Sequence, residues 1–259
     1  MEAPLGSDPD VHGLASGVAC GLVPSCLVMA HTLDAHALTD ADMFASLDHD
    51  AREVVTRSGM VRALAPGRIV FGQGDPGVTC HTLLDGRVKI VQARADGALS
   101  VIRFIGPGET YGTVAALMGR PFPADAVAVV ESLEIYWPVT VMRDLMTRYP
   151  AIAMGSAATA GQRLFELQER VSDLSSERVE RRIARILLRL AGHAGRKTSS
   201  GLEIDFPVTR QELAEMAGST LHTVSRTLAA WDEAGLIGGG RRRIVICDLD
   251  RLTTLAGSM

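Results

Sequence analysis

Arg226 lies in a polar stretch near the end of the chain whose side chains are suited to contact nucleic-acid bases. An arginine can donate two parallel hydrogen bonds to O6 and N7 of guanine, which contributes about 1–3 kcal/mol of discrimination between bases. Short polar side chains beside it can reach base edges or phosphates, and helix N-termini add backbone N–H groups that favour phosphates. The candidate DNA-contacting residues are Thr209, Arg210, Gln211, His222, Thr223, Ser225, Arg226, Arg241 and Arg242.

Two short helices must position these candidates. Thr209 and Glu212 make the T-x-x-E pattern of a capping box, which predicts a helix that starts at Thr209 and ends at Gly218. Ser219 or Thr220 then caps a second helix. The apolar residues that share one side of this second helix, and are expected in the core, are Val224, Leu228 and Trp231.

A glycine-rich turn and a basic run follow the second helix. Gly238–Gly240 precede Arg241, Arg242 and Arg243, which predicts a small hairpin whose positive charge meets phosphates. Two helices around a tight turn, followed by such a hairpin, can place one polar helix face in a DNA major groove. The sequence therefore predicts a DNA-reading module at its C-terminal end.

The charges of the chain are divided unevenly. The 259 residues have a formal net charge of −4, with 47% hydrophobic and 22% charged residues, which is ordinary for a globular protein. Residues 178–259 hold 13 Lys and Arg against 9 Asp and Glu, a net of +4, whereas residues 1–177 hold 13 against 21, a net of −8. A basic C-terminal third on an acidic body indicates that phosphate contact is confined to that third.

Short apolar stretches broken by turn residues run from about Met60 to Pro138. Asp85-Gly86 and Asp96-Gly97 are dipeptides that favour tight turns between strands. Many short strands at even spacing, with turn residues between them, predict a small antiparallel barrel or roll.

From Val139 onward the spacing of apolar residues becomes helical. A seam at a/d spacing contains Leu164, Leu167, Val171 and Leu174, and its backward extension contains Ala153, Ala157 and Ala160. The seam fits a helix packed on its own domain or a parallel dimer helix with a cavity beside its alanines. The dimer is favoured because a DNA reader gains from two-fold symmetry.

A further amphipathic helix is predicted from Arg178 to His193. Its expected core residues are Ile183, Ile186, Leu187 and Leu190. The segment from Gly192 to Gly201 is polar and is predicted to be a linker.

The order of these motifs resembles the Crp/Fnr family of transcription regulators over about Asp42 to Leu255. The resemblance is carried by Pro66-Gly67, Gly72-Gln73-Gly74-Asp75, Asp85-Gly86-Arg87-Val88, Gly106-Pro107-Gly108-Glu109-Thr110-Tyr111-Gly112 and, in the reading helix, Thr223-Val224-Ser225-Arg226. It implies an α+β fold with an N-terminal antiparallel β-roll, jelly-roll-like and of the cyclic-nucleotide-binding-domain type. A long dimerisation helix and a C-terminal winged helix-turn-helix would follow.

On this basis we expect a loosely structured N-terminal extension at residues 1–40 and an effector-sensing β-roll at 41–148. The dimerisation helix is expected at 149–177 and the DNA-binding domain at 178–259. The resemblance implies a homodimer that binds a roughly palindromic operator in double-stranded DNA and usually activates transcription by contacting RNA polymerase.

The resemblance also implies an effector pocket between the roll and the small residues of the dimer helix. The candidate pocket residues are Gly108, Glu109, Gly112, Thr113, Ala157 and Gly161. In the cyclic-AMP branch a Glu after the last roll glycine holds the ribose, and an Arg-Ser pair holds the cyclic phosphate. The matching positions here are Thr113, Pro123 and Ala124, so cyclic AMP is not the expected effector.

The oxygen-sensing branch holds a [4Fe-4S] cluster on three N-terminal cysteines spaced C-x2-C-x5-C and one cysteine in the roll. Cys20 and Cys26 match the last two N-terminal positions, but Gly17 stands at the first. Two thiolates of four do not make such a cluster site, so a cluster is not expected. An iron–sulfur or thiol-redox sensor of the same fold remains an alternative, in which Cys80 could fold near Cys20 and Cys26, whereas Cys247 is expected to pack in the wing domain.

The segments Pro121–Ala124 and Thr220–Arg226 look most like the nitric-oxide-responsive regulators of denitrification genes. That group lacks the cluster cysteines, and some relatives are thought to use haem. The resemblance therefore implies nitric oxide or another redox or gas signal, with haem as a candidate cofactor and His81 or Met118 as conceivable axial ligands. The alternative for His81 is a strand histidine that faces solvent or a neighbour.

The residues also bear on two other functions. An enzyme is not expected, because Gly195–Thr198 lacks the upstream glycine of a phosphate loop, and the glycines of Gly106–Gly112 have the wrong spacing for a dinucleotide fingerprint. A constitutive DNA-binding regulator with an empty, non-sensing roll remains the alternative to a sensor.

The uncharged stretch at residues 11–33 raises the question of a membrane or signal segment. Gly, Ser, Pro and His interrupt this stretch, and the first positive residue of the chain is Arg52. A secretory signal needs positive charge ahead of its apolar core. We therefore expect no membrane association and a cytoplasmic location.

Overall fold

The computed structural model describes residues 35–93, 99–176 and 179–257, without the side chains of residues 169–176. Its helices are a 3₁₀ turn at Ala35–Leu38, α1 at His49–Arg57, α2 at Thr113–Leu117, α3 at Val139–Arg148, α4 at Pro150–Ser176, α5 at Val179–Ala194, α6 at Arg210–Ala217, α7 at Leu221–Glu233 and α8 at Leu249–Ala256. Its strands are β1 at Met60–Leu64, β2 at Ile69–Phe71, β3 at Thr79–Asp85, β4 at Val88–Ala93, β5 at Leu99–Ile105, β6 at Thr110–Tyr111, β7 at Asp125–Ala128, β8 at Ser132–Pro138, β9 at Gly195–Thr198, β10 at Gly201–Ile204, β11 at Ile237–Gly240 and β12 at Arg243–Ile246.

The first part of the described chain folds into the predicted antiparallel β-roll, with strand orders β1-β8-β3-β6 and β2-β7-β4-β5 in its two sheets. Leu64, Leu83 and Ile105 are buried in the core of this roll. The β3–β4 turn requires Gly86, which has φ +87°, and a Cβ there would lie 2.3 Å from the Oγ of Ser132. The other predicted turn, Asp96-Gly97, lies outside the described residues.

A helical layer covers the outer face of β3 and β8. Trp137 is fully buried in this layer, and its indole N–H donates to the Val55 carbonyl at 2.9 Å. Leu38 is fully buried in the same cluster. The end of the predicted loose extension is therefore ordered and belongs to the core, whereas residues 1–34 lie outside the described residues.

The helix α4 coincides with the predicted dimerisation helix, and α5 buries the residues expected in its core. The predicted linker at Gly192–Gly201 is wrong, because α5 continues to Ala194 and β9 then pairs with β10. β9 is a polar edge strand, so it has no apolar alternation that could indicate a strand. Among the described residues, every helix is too short or too polar to span a bilayer.

The C-terminal domain packs on the sheet that contains β4 and β5. Val91, Val101 and Phe104 of the roll share one hydrophobic cluster with the core of the C-terminal domain. The Nζ of Lys89 lies 2.8 Å from Glu212 Oε1 on α6. The roll and the DNA-reading module are thus in direct contact within one chain.

Candidate nucleic-acid interface and effector cavity

The helix α6 begins with the predicted capping box. The hydroxyl of Thr209 accepts a hydrogen bond from the backbone amide of Glu212 at 3.1 Å. In return, the backbone amide of Thr209 donates to Oε2 of Glu212 at 2.8 Å. The hydroxyl of Thr209 also donates to Oε2 at 2.9 Å, so its polar groups are engaged within the helix start. Arg210 and Gln211 are the exposed residues of this helix end. The helix ends at Gly218 in the left-handed region with φ 57°, as predicted.

The helix α7 is capped by Thr220, whose hydroxyl accepts from the Thr223 amide at 3.2 Å. The predicted core residues Val224, Leu228 and Trp231 are all buried. On the opposite side, the predicted contact residues His222 and Arg226 are exposed and Thr223 and Ser225 are half-buried. The helix thus presents a polar face to solvent while its apolar face packs against the domain.

The hairpin after α7 carries two arginines at its exposed tip. Arg241 and Arg242 connect β11 to β12, and Arg242 has φ 65°. Arg243 points back to β10, where its Nε lies 2.6 Å from Glu203 Oε1, and this hydrogen bond lowers the pKa of Glu203. Of the basic triplet, Arg241 and Arg242 therefore remain for phosphates.

These elements form one continuous unit, because α7 contacts both α6 and β11. An exposed polar helix beside a basic hairpin tip has the geometry of a module that inserts a helix into the major groove. The arrangement provides one arginine for base edges and a second group of cations for the backbone.

A cavity of about 940 Å³ lies between the roll, α4 and the C-terminal domain. The roll contributes Phe71, Tyr111 and Phe122 to its wall. The C-terminal domain contributes Leu190, His193, Phe206 and Met216, among others. The volume lies within the range of small-molecule sites, and the wall belongs to both domains.

Half of the predicted pocket residues line this cavity. Gly108, Glu109 and Gly112 do so, and a Cβ at Gly112 would lie 3.1–3.3 Å from the rings of Phe122, Phe71 and His81. The other three do not line it. Thr113 is buried away from the wall, and Ala157 and Gly161 are exposed on another face of α4. The helix residues that line the cavity are Ala158, Thr159, Gln162, Arg163, Glu166 and Leu167.

Two arginines of the cavity wall are paired with carboxylates of the same wall. Arg103 lies 2.8 Å from Glu109 and Arg163 lies 3.5 Å from Asp42. Arg163 also donates to the Thr110 carbonyl, which ties α4 to the roll. Burial lowers the pKa of Arg163, and the nearby charge of Arg103 lowers it further. The sequence pattern did not single out Arg163, since only packing shows which helix face meets the cavity.

The positions that match the cyclic-AMP phosphate site carry no charge. Pro123 and Ala124 both line the cavity wall, and neither can donate a side-chain hydrogen bond. The expectation that cyclic AMP is not the effector remains a prediction.

His81 lies inside the roll and not on the cavity wall. It is 2% exposed, with Nδ1 at 3.2 Å from Glu134 Oε2 and Nε2 at 2.9 Å from Thr79 Oγ1. Because partners within the protein engage both ring nitrogens, His81 does not fit as an axial haem ligand. The other suggested ligand, Met118, is 66% exposed and lines the cavity.

The structure describes two of the four cysteines, Cys80 and Cys247. Cys80 is fully buried, and desolvation raises the pKa of its thiol to about 11, so it is protonated at neutral pH. Cys247 is exposed, which corrects the expectation that it packs in the core. Cys20 and Cys26 lie outside the described residues, and no group of three or more His, Cys, Asp or Glu among those described could hold a metal ion.

Family models match both parts of the chain. Residues 61–149 match the cyclic nucleotide-binding domain, and residues 181–255 match the Crp-like helix-turn-helix domain. The first region contains the β-roll, and the second contains the capped helix pair and the basic hairpin.

Curated relatives extend the similarity across both domains. The Cyclic AMP receptor protein of Thermus thermophilus is 31% identical over 200 residues, covering 75% of this chain and 88% of the relative. The nitrogen fixation regulation protein FixK of Azorhizobium caulinodans is 26% identical over 247 residues, covering 93% and 98%.

Solved structures of this family are also similar to most of the chain. A transcriptional regulator of the CRP family from Thermus thermophilus superposes with a TM-score of 0.66 at 27% identity, covering 76% of this chain and 97% of that one. FixK2 from Bradyrhizobium japonicum shares the fold, with a TM-score of 0.68 at 20% identity, covering 78% and 98%. The chain therefore belongs to the Crp/Fnr family: it is a DNA-binding transcription regulator with a sensing domain, and not an enzyme.

Proposed function

We propose that two copies of this chain form a homodimer that binds a roughly palindromic operator under the control of a small effector in the cavity. The observation that carries the DNA-binding part is the outer face of α7. Arg226 and His222 are exposed there, while Val224 and Trp231 hold the opposite face in the core. This face is what a major-groove reader presents to base edges.

The exposed seam of α4 supports the homodimer. Leu164 and Leu167 are 57% and 51% exposed, and the neighbouring Phe165 is 68% exposed. Val171 and Leu174 continue the seam in α4, but their side chains lie outside the described residues. A second α4 would cover this apolar surface, and a two-fold axis would separate the reading helices by about one DNA turn.

The cavity favours a sensor over a constitutive regulator with an empty roll. An effector that controls DNA binding needs a site in contact with both domains, and this cavity lies against both the sensing domain and the DNA-reading module. An effector controls DNA binding only if it has different affinities for two conformations. A site whose wall is shared by two domains provides that difference, because their relative movement changes its contacts.

Nitric oxide, or another gas or redox signal, is the effector class that the local resemblance favours. Pro121–Ala124, one of the two segments that carry the resemblance, lines the cavity. A visible spectrum of anaerobically purified protein, before and after nitric oxide, tests this class. A shifting Soret band supports a haem-based sensor with a ligand other than His81, and a featureless spectrum directs the search to organic effectors.

We further propose that the homodimer acts in the cytoplasm, where it would meet its operator DNA, and activates transcription by contacting RNA polymerase. These two proposals follow from the family and from the location of its operators. Reconstituted transcription with purified polymerase tests the second, since an activator raises transcript yield and a repressor lowers it.

Arg226→Ala tests the DNA-binding proposal. We expect the variant to lose about 1–3 kcal/mol of affinity per half-site for a duplex selected from a randomised palindromic library. Fluorescence anisotropy against the selected and a scrambled duplex measures this loss. Arg68→Ala, which removes an exposed arginine of the roll, is the matched control and should bind normally. Retained sequence preference in Arg226→Ala would contradict the assignment.

A further inference from the structure

Arg87 is a buried cation at the junction of the roll and the C-terminal domain. It immediately precedes β4 and is 7% exposed. Its guanidinium lies over the ring of Phe206 at 4.7 Å from the ring centroid. A Cβ at Gly106 would lie 2.4 Å from Nη1 of Arg87, so the guanidinium packs directly against this glycine.

Within the described ranges, Arg87 has no ion pair and its Nε has no hydrogen-bond acceptor. The two carboxylates whose charges act on Arg87 are paired with other arginines, Glu109 with Arg103 at 2.8 Å and Asp205 with Arg196 at 3.1 Å. Burial lowers the pKa of Arg87, and the charges of Glu109 and Asp205 offset only part of this effect. The guanidinium is therefore a buried charge without a direct counterion.

A buried charge without a partner destabilises a protein, and such groups in native structures are normally paired. Arg87 lines the cavity that contains the proposed effector site, so an occupant of the cavity can supply the missing partner. We propose that this cavity binds an organic anion whose carboxylate or phosphate group pairs with Arg87. This inference rests on the proposed function, in which the cavity is the effector site.

The remaining wall defines the body of the ligand. The apolar part of the wall contains Phe71, Phe104, Phe122, Val114 and Met118. Of these, Val114 is 47% exposed and Met118 is 66% exposed. Apolar walls favour an aliphatic or aromatic body, and the buried guanidinium of Arg87 favours an acid group at one end of it. A medium-length organic acid or organic phosphate fits both requirements.

The same pairing would connect the ligand to the DNA-reading module. The in-plane N–H groups of a guanidinium can donate to an anion while its face stays stacked on an aromatic ring. Phe206 lies three residues before Thr209, the N-cap of α6. An anion that orders Arg87 therefore also orders Phe206 and the segment that starts the helix-turn-helix.

The test compares three ligands with the same chain: octanoate, octyl phosphate and octan-1-ol. Isothermal titration of the full chain should show at least one of the two anions binding about tenfold or more tightly than the alcohol, as expected for a charge-assisted hydrogen bond. The tighter of the two anions identifies the acid group. In Arg87→Met the preference for the anion should disappear. Arg120→Met, which removes an exposed arginine of the same wall, should keep it.

Arg87→Met should also melt at the same or a higher temperature than the wild type, because it removes an uncompensated buried charge. If this variant does not fold, the wild-type preference for anion over alcohol still tests the proposal. Equal binding of alcohol and anions, binding of neither anion, or an intact preference in folded Arg87→Met would each overturn it.

The failure of this inference can be separated from the failure of the proposed function. A wild-type chain with no sequence preference for DNA refutes the proposed function. A chain that binds its selected operator but neither octanoate nor octyl phosphate refutes only the anion site.

Discussion

Glu134 shows how a single buried residue organises the interior of the roll. Its carboxylate is fully buried, accepts from Arg62 Nε at 2.7 Å and from the Tyr111 hydroxyl, and lies 3.2 Å from His81. Burial acts to raise the pKa of Glu134, but the hydrogen bond and charge of His81, the charge of Arg62 and the hydrogen bond from Tyr111 lower it below its ordinary range. The same carboxylate joins β1, β3, β6 and β8 across one sheet.

We expect Glu134→Gln to lower the free energy of unfolding by about 3 kcal/mol at pH 7, because it leaves the Arg62 guanidinium without its partner. A depressed carboxyl pKa stabilises the fold in full above the unfolded-state value of about 4.3 and loses that effect as the pH falls through the folded-state value. The difference between variant and wild type should therefore shrink in acid. Urea unfolding at pH 7 and below pH 4 measures both.

Glu131→Gln, which changes an exposed carboxylate in the loop before β8, is the control and should leave stability nearly unchanged. A wild-type-like unfolding midpoint of Glu134→Gln at pH 7 would contradict the structural role of the network.

Capping residues fix where the two helices of the DNA-reading module begin and where α6 ends. Thr209 and Thr220 cap α6 and α7, and Gly218 ends α6 in a left-handed conformation. The angle between the two helices depends on this turn, so the exposed face of α7 depends on it too. By contrast, Gly192 lies inside α5 with open space around its Cα.

The same substitution should have opposite effects at these two glycines. Gly218→Ala should destabilise the protein by about 1–2 kcal/mol, because an L-residue is strained at φ 57°. Gly192→Ala should stabilise it by up to about 1 kcal/mol, because alanine favours the helix interior. Thermal unfolding of the two variants measures the difference. Equal shifts of one sign would show that the turn does not require a left-handed residue.

At the scale of the whole molecule, two of the connections that the described residues make between the sensing domain and the DNA-reading module lie beside the cavity. One is the direct contact of β4 and β5 with α6, which includes the Lys89–Glu212 ion pair and the bond from the Val101 amide to Glu215 Oε2 at 2.8 Å. The other is α4, whose one side lines the cavity and whose exposed seam would meet a second copy. An occupant of the cavity touches both connections.

Leu164→Glu should convert the homodimer into monomers, because two carboxylates would then face each other near the two-fold axis of an apolar seam. Leu164 is preferred to Leu167 because Leu167 also lines the cavity. Sedimentation velocity measures the mass, and operator affinity should fall strongly with the loss of the second half-site. Thr147→Glu places the same charge on an exposed position of α3 and should remain dimeric. A dimer formed by Leu164→Glu would contradict the seam.

Local patterns were sufficient for much of the fold. The roll extends from Met60 to Pro138, α3 begins at Val139, and α6 has its predicted cap and its predicted end at Gly218. Alternation along strands and hydrogen bonds between residues three or four apart are encoded by neighbouring residues, so they can be read from the chain. The polar hairpin of β9 and β10 lacked both signals and was predicted wrongly as a linker.

The sites depended on packing between distant segments. Ala157 and Gly161 were predicted in the pocket, but the face of α4 that meets the cavity contains Arg163 instead. One partner of His81 is Glu134, which lies 53 residues away in the sequence. Arg87 lacks an ion pair because Glu109 is paired with Arg103 instead. The packing of separate elements decides which face of a helix is covered and which charged side chain has an ion-pair partner. The spacing of residues along the chain does not encode that result.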